Sequence, residues 1–152
     1  MDVTSRKIAN ALKTAIRREE RTAAAYTDKA AGIQDPAAKA VLESLAKQEV
    51  SHGKKLRMVL DKQMDLSRLG KGGSKVVGTL RVVNDDLLKM ERASEAVKVL
   101  QKALVSEQNS CKLYRSLEKI YNGLELAELF GKLAQEEEKH AARIEKTLAK
   151  MV

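Results

Sequence analysis

Apolar residues recur at helical spacing in four long stretches of the chain, and polar or glycine-rich segments separate these stretches. Intervals of three and four positions place the apolar side chains of each stretch on one face of an α-helix. The four stripes are Ile8, Leu12, Ile16, Ala23, Tyr26 and Ala30; Val41, Leu42, Leu45, Val50, Leu56 and Leu60; Val97, Leu100, Leu104, Leu113, Leu117 and Ile120; and Leu126, Leu129, Phe130, Leu133, Ile144 and Leu148. We therefore predict four long helices, each with one buried face.

The residues between the stripes predict where the helices begin and end. Asp35 followed by Pro36 is typical of an N-cap with proline in the first helical turn. Ser94 is expected to cap the third helix, and Asn122-Gly123 is expected to end it. The connections within the first pair and within the second pair of helices are short, so each pair should form an antiparallel hairpin.

Residues 67–83 have a different composition, with four glycines in nine positions and then the apolar stretch VVGTLRVV. We predict a long, partly extended crossover here, followed by a short helix from Asn84 to Met90. One long crossover between two hairpins is the ferritin-like arrangement of a four-helix bundle. The fold class predicted is therefore all-α, as a single domain over residues 1–152. The stretch at 76–83 is too apolar to be left in water, so we expect it to cover the side of its own bundle or to pair with a second chain, and we predict a homodimer.

Composition and charge narrow the classes of function. Of 152 residues, 43% are hydrophobic and 33% are charged, which suits a soluble domain. The single cysteine, Cys111, excludes an internal disulfide framework or a four-cysteine metal site in this chain. No apolar run approaches the roughly 20 residues of a membrane span, and no signal pattern opens the sequence, so we expect a cytoplasmic protein. The net charge is +8, but aromatic residues are only 3%, so neither nucleic acid nor a membrane is the expected partner.

The two halves of the chain repeat the same polar pattern at a spacing of 88 residues. In each half a glutamate is followed by a tyrosine after six intervening residues, by a second glutamate after twenty-two more, and by a histidine after two more. Both histidines of the chain and two of its three tyrosines lie in this repeat. The repeated residues are Glu19, Tyr26, Glu49 and His52 in the first half, and Glu107, Tyr114, Glu137 and His140 in the second.

The repeated glutamates lie at matching distances from the predicted turns. Glu19 and Glu49 are equidistant from position 34, and Glu107 and Glu137 are equidistant from position 122. Each is about 15 residues, or roughly 22 Å of helix, from its turn. A glutamate and a histidine at i and i+3 also share one helix face. We therefore expect four glutamates and two histidines to meet in one layer, in the middle of the bundle.

Four carboxylates buried together would repel one another and lose their hydration, unless cations bind between them. Carboxylate oxygens with one imidazole for each metal suit iron or manganese. A lone Glu-x-x-His is usually a solvated surface pair, but its duplication with matched turns predicts two iron ions per chain, with manganese as the alternative. Tyr26 and Tyr114 are either core aromatics or hydrogen-bond donors to the ligand carboxylates, and we favour the second role.

The segments LAKQEVSH (45–52) and LAQEEEKH (133–140) resemble the Leu-Ala-x-x-Glu-x-x-His motif of rubrerythrin-type di-iron domains in the ferritin-like superfamily. The resemblance covers both hairpins, about residues 5–64 and 94–150. It implies a terminal glutamate and histidine for each metal and two bridging glutamates. The implied ligands are Glu19 and His52 for one metal, Glu107 and His140 for the other, and Glu49 and Glu137 as bridges.

Two departures from the family pattern bear on function. Rubrerythrins proper carry a C-terminal rubredoxin domain with four cysteines, which this sequence lacks. They also have an additional glutamate one turn beyond the third-helix ligand, where Ser110 and Cys111 stand here. This favours the simpler six-ligand site of bacterioferritins. Cys111 itself is either a small core residue or a redox-active thiol near the metals.

The resemblance implies a protein that reacts with hydrogen peroxide or dioxygen. We expect an oxidoreductase of oxidative-stress defence that receives its electrons from a separate protein. The charge of +8 predicts that this donor is acidic. The alternative is a non-catalytic iron-binding or ferroxidase protein of the bacterioferritin type. A DNA-protecting bundle of the miniature-ferritin type is a third hypothesis, supported by the positive net charge alone.

Overall fold

The computed structural model describes residues 3–67 and 94–151, and nearly all of these residues are helical. Four α-helices follow one another, and these two ranges contain no strand, so the all-α prediction is confirmed. The helices are α1 (Val3–Gly32), α2 (Pro36–Ser67), α3 (Glu95–Ile120) and α4 (Glu125–Met151). The predicted helix from Asn84 to Met90 and the apolar stretch at 76–83 lie outside the described residues.

The helix ends follow the local sequence. The Asp35 carboxylate accepts a 2.9 Å hydrogen bond from the backbone N–H of Ala38 at the start of α2. The Ser94 hydroxyl accepts one from Val97 at the start of α3, at 3.2 Å. Such caps each stabilise a helix by about 1 kcal/mol. Gly123, in the turn after α3, has φ +91°, a conformation that favours glycine. All three predicted helix ends are therefore confirmed.

The helices pack as two hairpins that close into a bundle. α1 packs along α2 and α3 packs along α4, while α2 also contacts α4 and α1 contacts α3. The hairpin pairing predicted from the short turns is thus present. Within the described ranges, no helix is long and apolar enough to cross a membrane.

The apolar core is divided into two clusters. One cluster contains the N-terminal part of α1, the C-terminal parts of α2 and α3, and the N-terminal part of α4. The other contains the opposite part of each helix. Between them, every helix contributes buried polar residues to one layer across the bundle. The ionisable residues of this layer are Glu19, Glu49, His52, Glu107, Glu137 and His140.

Candidate metal centre

The polar layer holds all six residues singled out by the repeat, and each helix contributes at least one of them. Leu45 and Leu56, which flank the Glu49–His52 pair in α2, are both completely buried, so this face of α2 points into the bundle. The four glutamates of the layer are at most 1% exposed. Helical periodicity therefore carries the carboxylates inward together with the apolar residues around them.

The layer contains two overlapping groups of potential ligands. In each group, one ligand atom from every residue lies within 4.8 Å of the corresponding atoms of the other three. Two glutamates, Glu49 and Glu137, belong to both groups. The first group is completed by Glu19 and His52, and the second by Glu107 and His140. Two neighbouring cations could therefore share two carboxylates.

His52 directs one ring nitrogen at three carboxylates. Its Nδ1 lies 3.0 Å from Glu137 Oε1 and 3.7 Å from both Glu19 Oε2 and Glu49 Oε2. The three acidic residues come from three helices, α1, α2 and α4. The nitrogen thus lies at the meeting point of three carboxylates and cannot donate a proton to all of them.

His140 has a corresponding position in the other half of the bundle. Its Nδ1 lies 2.9 Å from Glu49 Oε1, 3.6 Å from Glu107 Oε2 and 3.8 Å from Glu137 Oε1. The His140 and His52 rings stack nearly parallel, with centroids 5.4 Å apart. The repeat in the sequence therefore becomes an approximate two-fold relation in space.

The inward-facing atoms of the layer lack hydrogen-bond partners. Within the described chain, eight buried side-chain oxygen and nitrogen atoms of these six residues make no hydrogen bond. A buried polar atom without a partner costs about 1–3 kcal/mol. Carboxylate oxygens with one imidazole nitrogen in each group form a donor set suited to iron or manganese. The residues of the layer therefore fit a pair of metal ions.

Burial and mutual contacts shift the ionisation of the layer. Burial raises the pKa of Glu19 to about 8 and that of Glu137 to about 11, because a carboxylate is poorly solvated here. Burial would also raise the pKa of Glu49, but contacts with His140 and His52 lower it below the ordinary value. For the histidines, the facing carboxylates outweigh burial and raise the pKa of His52 to about 12 and that of His140 to about 9. Burial in this layer therefore disfavours the negative charge of Glu19 and Glu137.

The two repeated tyrosines connect the hairpins at the layer. Tyr26 in α1 donates a 2.9 Å hydrogen bond to Glu107 Oε1 in α3. Tyr114 in α3 donates in the opposite direction to Glu19 Oε1 in α1. Burial, followed by the facing carboxylate, raises the pKa of both tyrosines, so both hydroxyls remain protonated donors. Each tyrosine thus orients a carboxylate of the other hairpin.

Glu136 contacts the layer but was not found from the sequence. Its Oε2 contacts Nε2 of His52, on the side of the ring opposite the three buried carboxylates. Its Oε1 lies 3.9 Å from Lys55 Nζ, and its side chain is 39% exposed. A partly exposed glutamate in a glutamate-rich helix gives no sign of such a contact in the sequence. The two halves of the sequence do differ at this position, because the counterpart of Glu136 in the repeat is Gln48.

Ser110 and Cys111 stand one turn after Glu107, where the rubrerythrin pattern has an additional glutamate, and they make other contacts. Ser110 is buried and accepts a 2.9 Å hydrogen bond from Nε of Arg18. Cys111 is partly exposed, and its thiol lies 3.5 Å from Glu138 Oε1. Burial and the nearby Glu138 raise the pKa of Cys111, which reduces its reactive thiolate form. Cys111 therefore lies at the surface between α3 and α4, outside both ligand groups.

Comparison with known proteins agrees with this geometry. The Rubrerythrin family model matches residues 98–152, which contain most of α3 and all of α4. The match thus includes three of the six layer residues, and the other three repeat them in the first hairpin. No curated protein and no solved structure matches the chain. The family match over this hairpin supports a ferritin-like domain of the rubrerythrin type, and the four-helix fold is consistent with it.

Proposed function

We propose that this protein is a di-iron carboxylate oxidoreductase that reduces hydrogen peroxide or dioxygen, with manganese as the alternative metal. The observation that carries the proposal is the pair of overlapping ligand groups in one buried layer. Glu49 and Glu137 would bridge the two ions because both belong to both groups. The proposed terminal ligands are Glu19 and His52 for one ion and Glu107 and His140 for the other.

A pair of ferrous ions held by these residues would supply the two electrons that reduce hydrogen peroxide to two waters, with two protons taken from solvent. The chain's own residues prepare the site for that reaction. Tyr26 and Tyr114 hold the carboxylates Glu107 and Glu19 in position through their hydroxyls. Apolar clusters on both sides of the layer keep bulk water away from the ligands. The ligand atoms are thus pre-oriented before any ion binds, which favours binding.

One observation favours a second candidate, an iron-binding or ferroxidase protein of the bacterioferritin type. Rubrerythrins have an additional glutamate one turn after the third-helix ligand, and here Ser110 at that place is hydrogen-bonded to Arg18. The ligand set is therefore limited to six residues on the described helices. In this alternative the protein would oxidise ferrous iron with dioxygen and would need no protein donor.

The first experiment measures metal content and then reactivity. Purified protein is loaded anaerobically with ferrous iron, freed of excess metal and analysed for iron, and we expect two ions per chain. The loaded protein is then mixed with hydrogen peroxide or with dioxygen in a stopped-flow instrument. Faster oxidation by peroxide supports the peroxide reductase, whereas oxidation by dioxygen alone supports the ferroxidase. No more than one bound ion per chain would exclude both, because both need a pair of ions.

A variant pair distinguishes the layer from the surrounding surface. Glu19→Gln should lower the iron content, because Glu19 is buried in the first ligand group. Glu20→Gln is the matched control, because Glu20 is the next residue but lies exposed and pairs with Arg57. Equal iron content in the two variants would contradict the assignment of Glu19.

The proposed partner is an acidic electron-transfer protein, and a homodimer is the proposed assembly. The net charge of +8 supports an acidic donor, since opposite charges accelerate association. Re-reduction of the oxidised protein by an acidic rubredoxin-type carrier should slow as salt is added, because the screening length is about 10 Å at 0.1 M. A rate that is independent of salt would exclude electrostatic docking. Light scattering tests the dimer, which a monomer mass at all concentrations would exclude.

A further inference from the structure

The two ligand groups differ in the contact on the outer side of the histidine. Glu136 contacts Nε2 of His52, the ring nitrogen that faces away from the layer. Across the residues that the structure describes, every carboxylate contact of His140 is made through Nδ1. One histidine therefore has carboxylates on both ring nitrogens, and the other has them on one.

The sequence repeat explains this difference. The position that corresponds to Glu136 after a shift of 88 residues is Gln48, which is uncharged. The basic residue beside Glu136 is Lys55, and its counterpart in the repeat is Arg143. Arg143 donates instead to the hydroxyl of Ser44, at 2.7 Å. The Lys55–Glu136–His52 chain of contacts is thus present in one half only.

A carboxylate that accepts a hydrogen bond from the outer ring nitrogen of a histidine changes how tightly the other ring nitrogen binds a metal ion. When Nε2–H donates to Glu136, the neutral tautomer leaves the lone pair on Nδ1, which faces the layer. The same hydrogen bond fixes the ring orientation and increases the basicity of the ligating nitrogen. Loss of such a partner typically lowers metal affinity by about 10–100-fold. His52 should therefore bind a metal ion more tightly than His140.

We propose that Glu136 is a positioning residue that makes the two metal sites unequal. The group of Glu19, Glu49, His52 and Glu137 binds its ion first, and the group that contains His140 binds the second. The order of loading is set by a side chain that belongs to neither ligand group. This inference rests on the proposed binding of two metal ions by the layer.

The test uses the metal-free full chain titrated with Co²⁺ and followed by visible absorption and by calorimetry. Wild-type protein should bind two ions in two steps whose dissociation constants differ by about 10–100-fold. His52→Ala should remove the tighter step, and His140→Ala should remove the weaker one. A single binding step in the wild type, or loss of the tighter step in His140→Ala, would overturn the proposal.

Two exchange variants test the role of Glu136 itself. Glu136→Gln should weaken the tighter step by about 10–100-fold, and Gln48→Glu should strengthen the weaker step by a similar factor. If Glu136 acted only through packing, Gln48→Glu would not strengthen metal binding by the group that contains His140. Glu138→Gln is the matched control, because Glu138 is an exposed glutamate of the same helix that pairs with Arg115. Thermal unfolding of each metal-free variant checks its fold.

The outcomes separate this inference from the proposed function. If both Co²⁺-binding steps are unchanged in Glu136→Gln and in Gln48→Glu, the positioning role is overturned. The proposed di-metal function would remain intact. Wild-type protein that is folded but binds no Co²⁺ and no Fe²⁺ would overturn both. A reversed order of loading in the Glu136→Gln, Gln48→Glu double variant would be the strongest support.

Discussion

The hydroxyl of Tyr26 in α1 donates a hydrogen bond to the carboxylate of Glu107 in α3, with 2.9 Å between the two oxygen atoms. The two residues are in different hairpins, and both are at least 95% buried. The hydrogen bond therefore joins the two hairpins and orients the Glu107 carboxylate, which belongs to the second ligand group. The reciprocal bond from Tyr114 to Glu19 does the same for the first group.

Replacing either tyrosine with phenylalanine should destabilise the protein. Tyr26→Phe or Tyr114→Phe leaves a buried carboxylate oxygen without its donor, which we expect to lower the free energy of unfolding by about 1–3 kcal/mol. Denaturant unfolding of the metal-free variants measures this change. Tyr121→Phe is the control, because the Tyr121 ring packs near Phe130 and, in the described ranges, its hydroxyl makes no hydrogen bond. An effect of Tyr121→Phe as large as the other two would contradict the assigned role.

The shared carboxylates should matter more for metal content than the terminal ones. Glu49→Ala removes a residue common to both ligand groups and is expected to abolish binding of both ions. Glu19→Ala removes a residue of one group and should leave about one ion bound. Elemental analysis after loading with ferrous iron measures both. Glu43→Ala, on the exposed face of the same helix as Glu49, controls for helix effects. One ion retained in Glu49→Ala would contradict the bridging role.

Metal should stabilise the folded protein. The ligand groups draw residues from all four helices, so an unfolded chain lacks the site. A ligand that binds only the folded state at 100 times its dissociation constant adds about 2.7 kcal/mol to the free energy of unfolding. Calorimetric melting with and without Fe²⁺ under anaerobic conditions should show a higher Tm with metal, reversed by a chelator. A Tm that does not change on loading would contradict binding within the layer.

The turn between α3 and α4 should depend on Gly123. Its φ of +91° is strained for any residue with a Cβ atom, so Gly123→Ala should lower the free energy of unfolding by about 1 kcal/mol. Gly32→Ala is the matched control, because a Cβ atom there meets nothing within 4 Å. We expect that control to be neutral or slightly stabilising. Equal melting temperatures for the two variants would show that the turn tolerates a side chain.

The sequence by itself determined the helices and where they end. Apolar spacing predicted most of each stripe, but it was wrong for Val50 and Ile120, which are exposed. Asp35 and Ser94 cap the helices as expected, because a cap depends only on residues within one turn. The repeat also selected the six residues that meet in the layer. Their common height followed from their equal distance to each turn, since an α-helix has a fixed rise per residue.

Only the tertiary structure decided which side chains meet between the hairpins. It paired Tyr26 with Glu107 rather than with Glu19, seven residues away in its own helix. It also placed the half-exposed Glu136 on His52 and gave Ser110 its contact with Arg18. Such contacts depend on the rotation of each helix about its axis and on the lateral packing of one hairpin against the other. Both are set by the packing of the two apolar clusters as a whole, and no local pattern of residues specifies them.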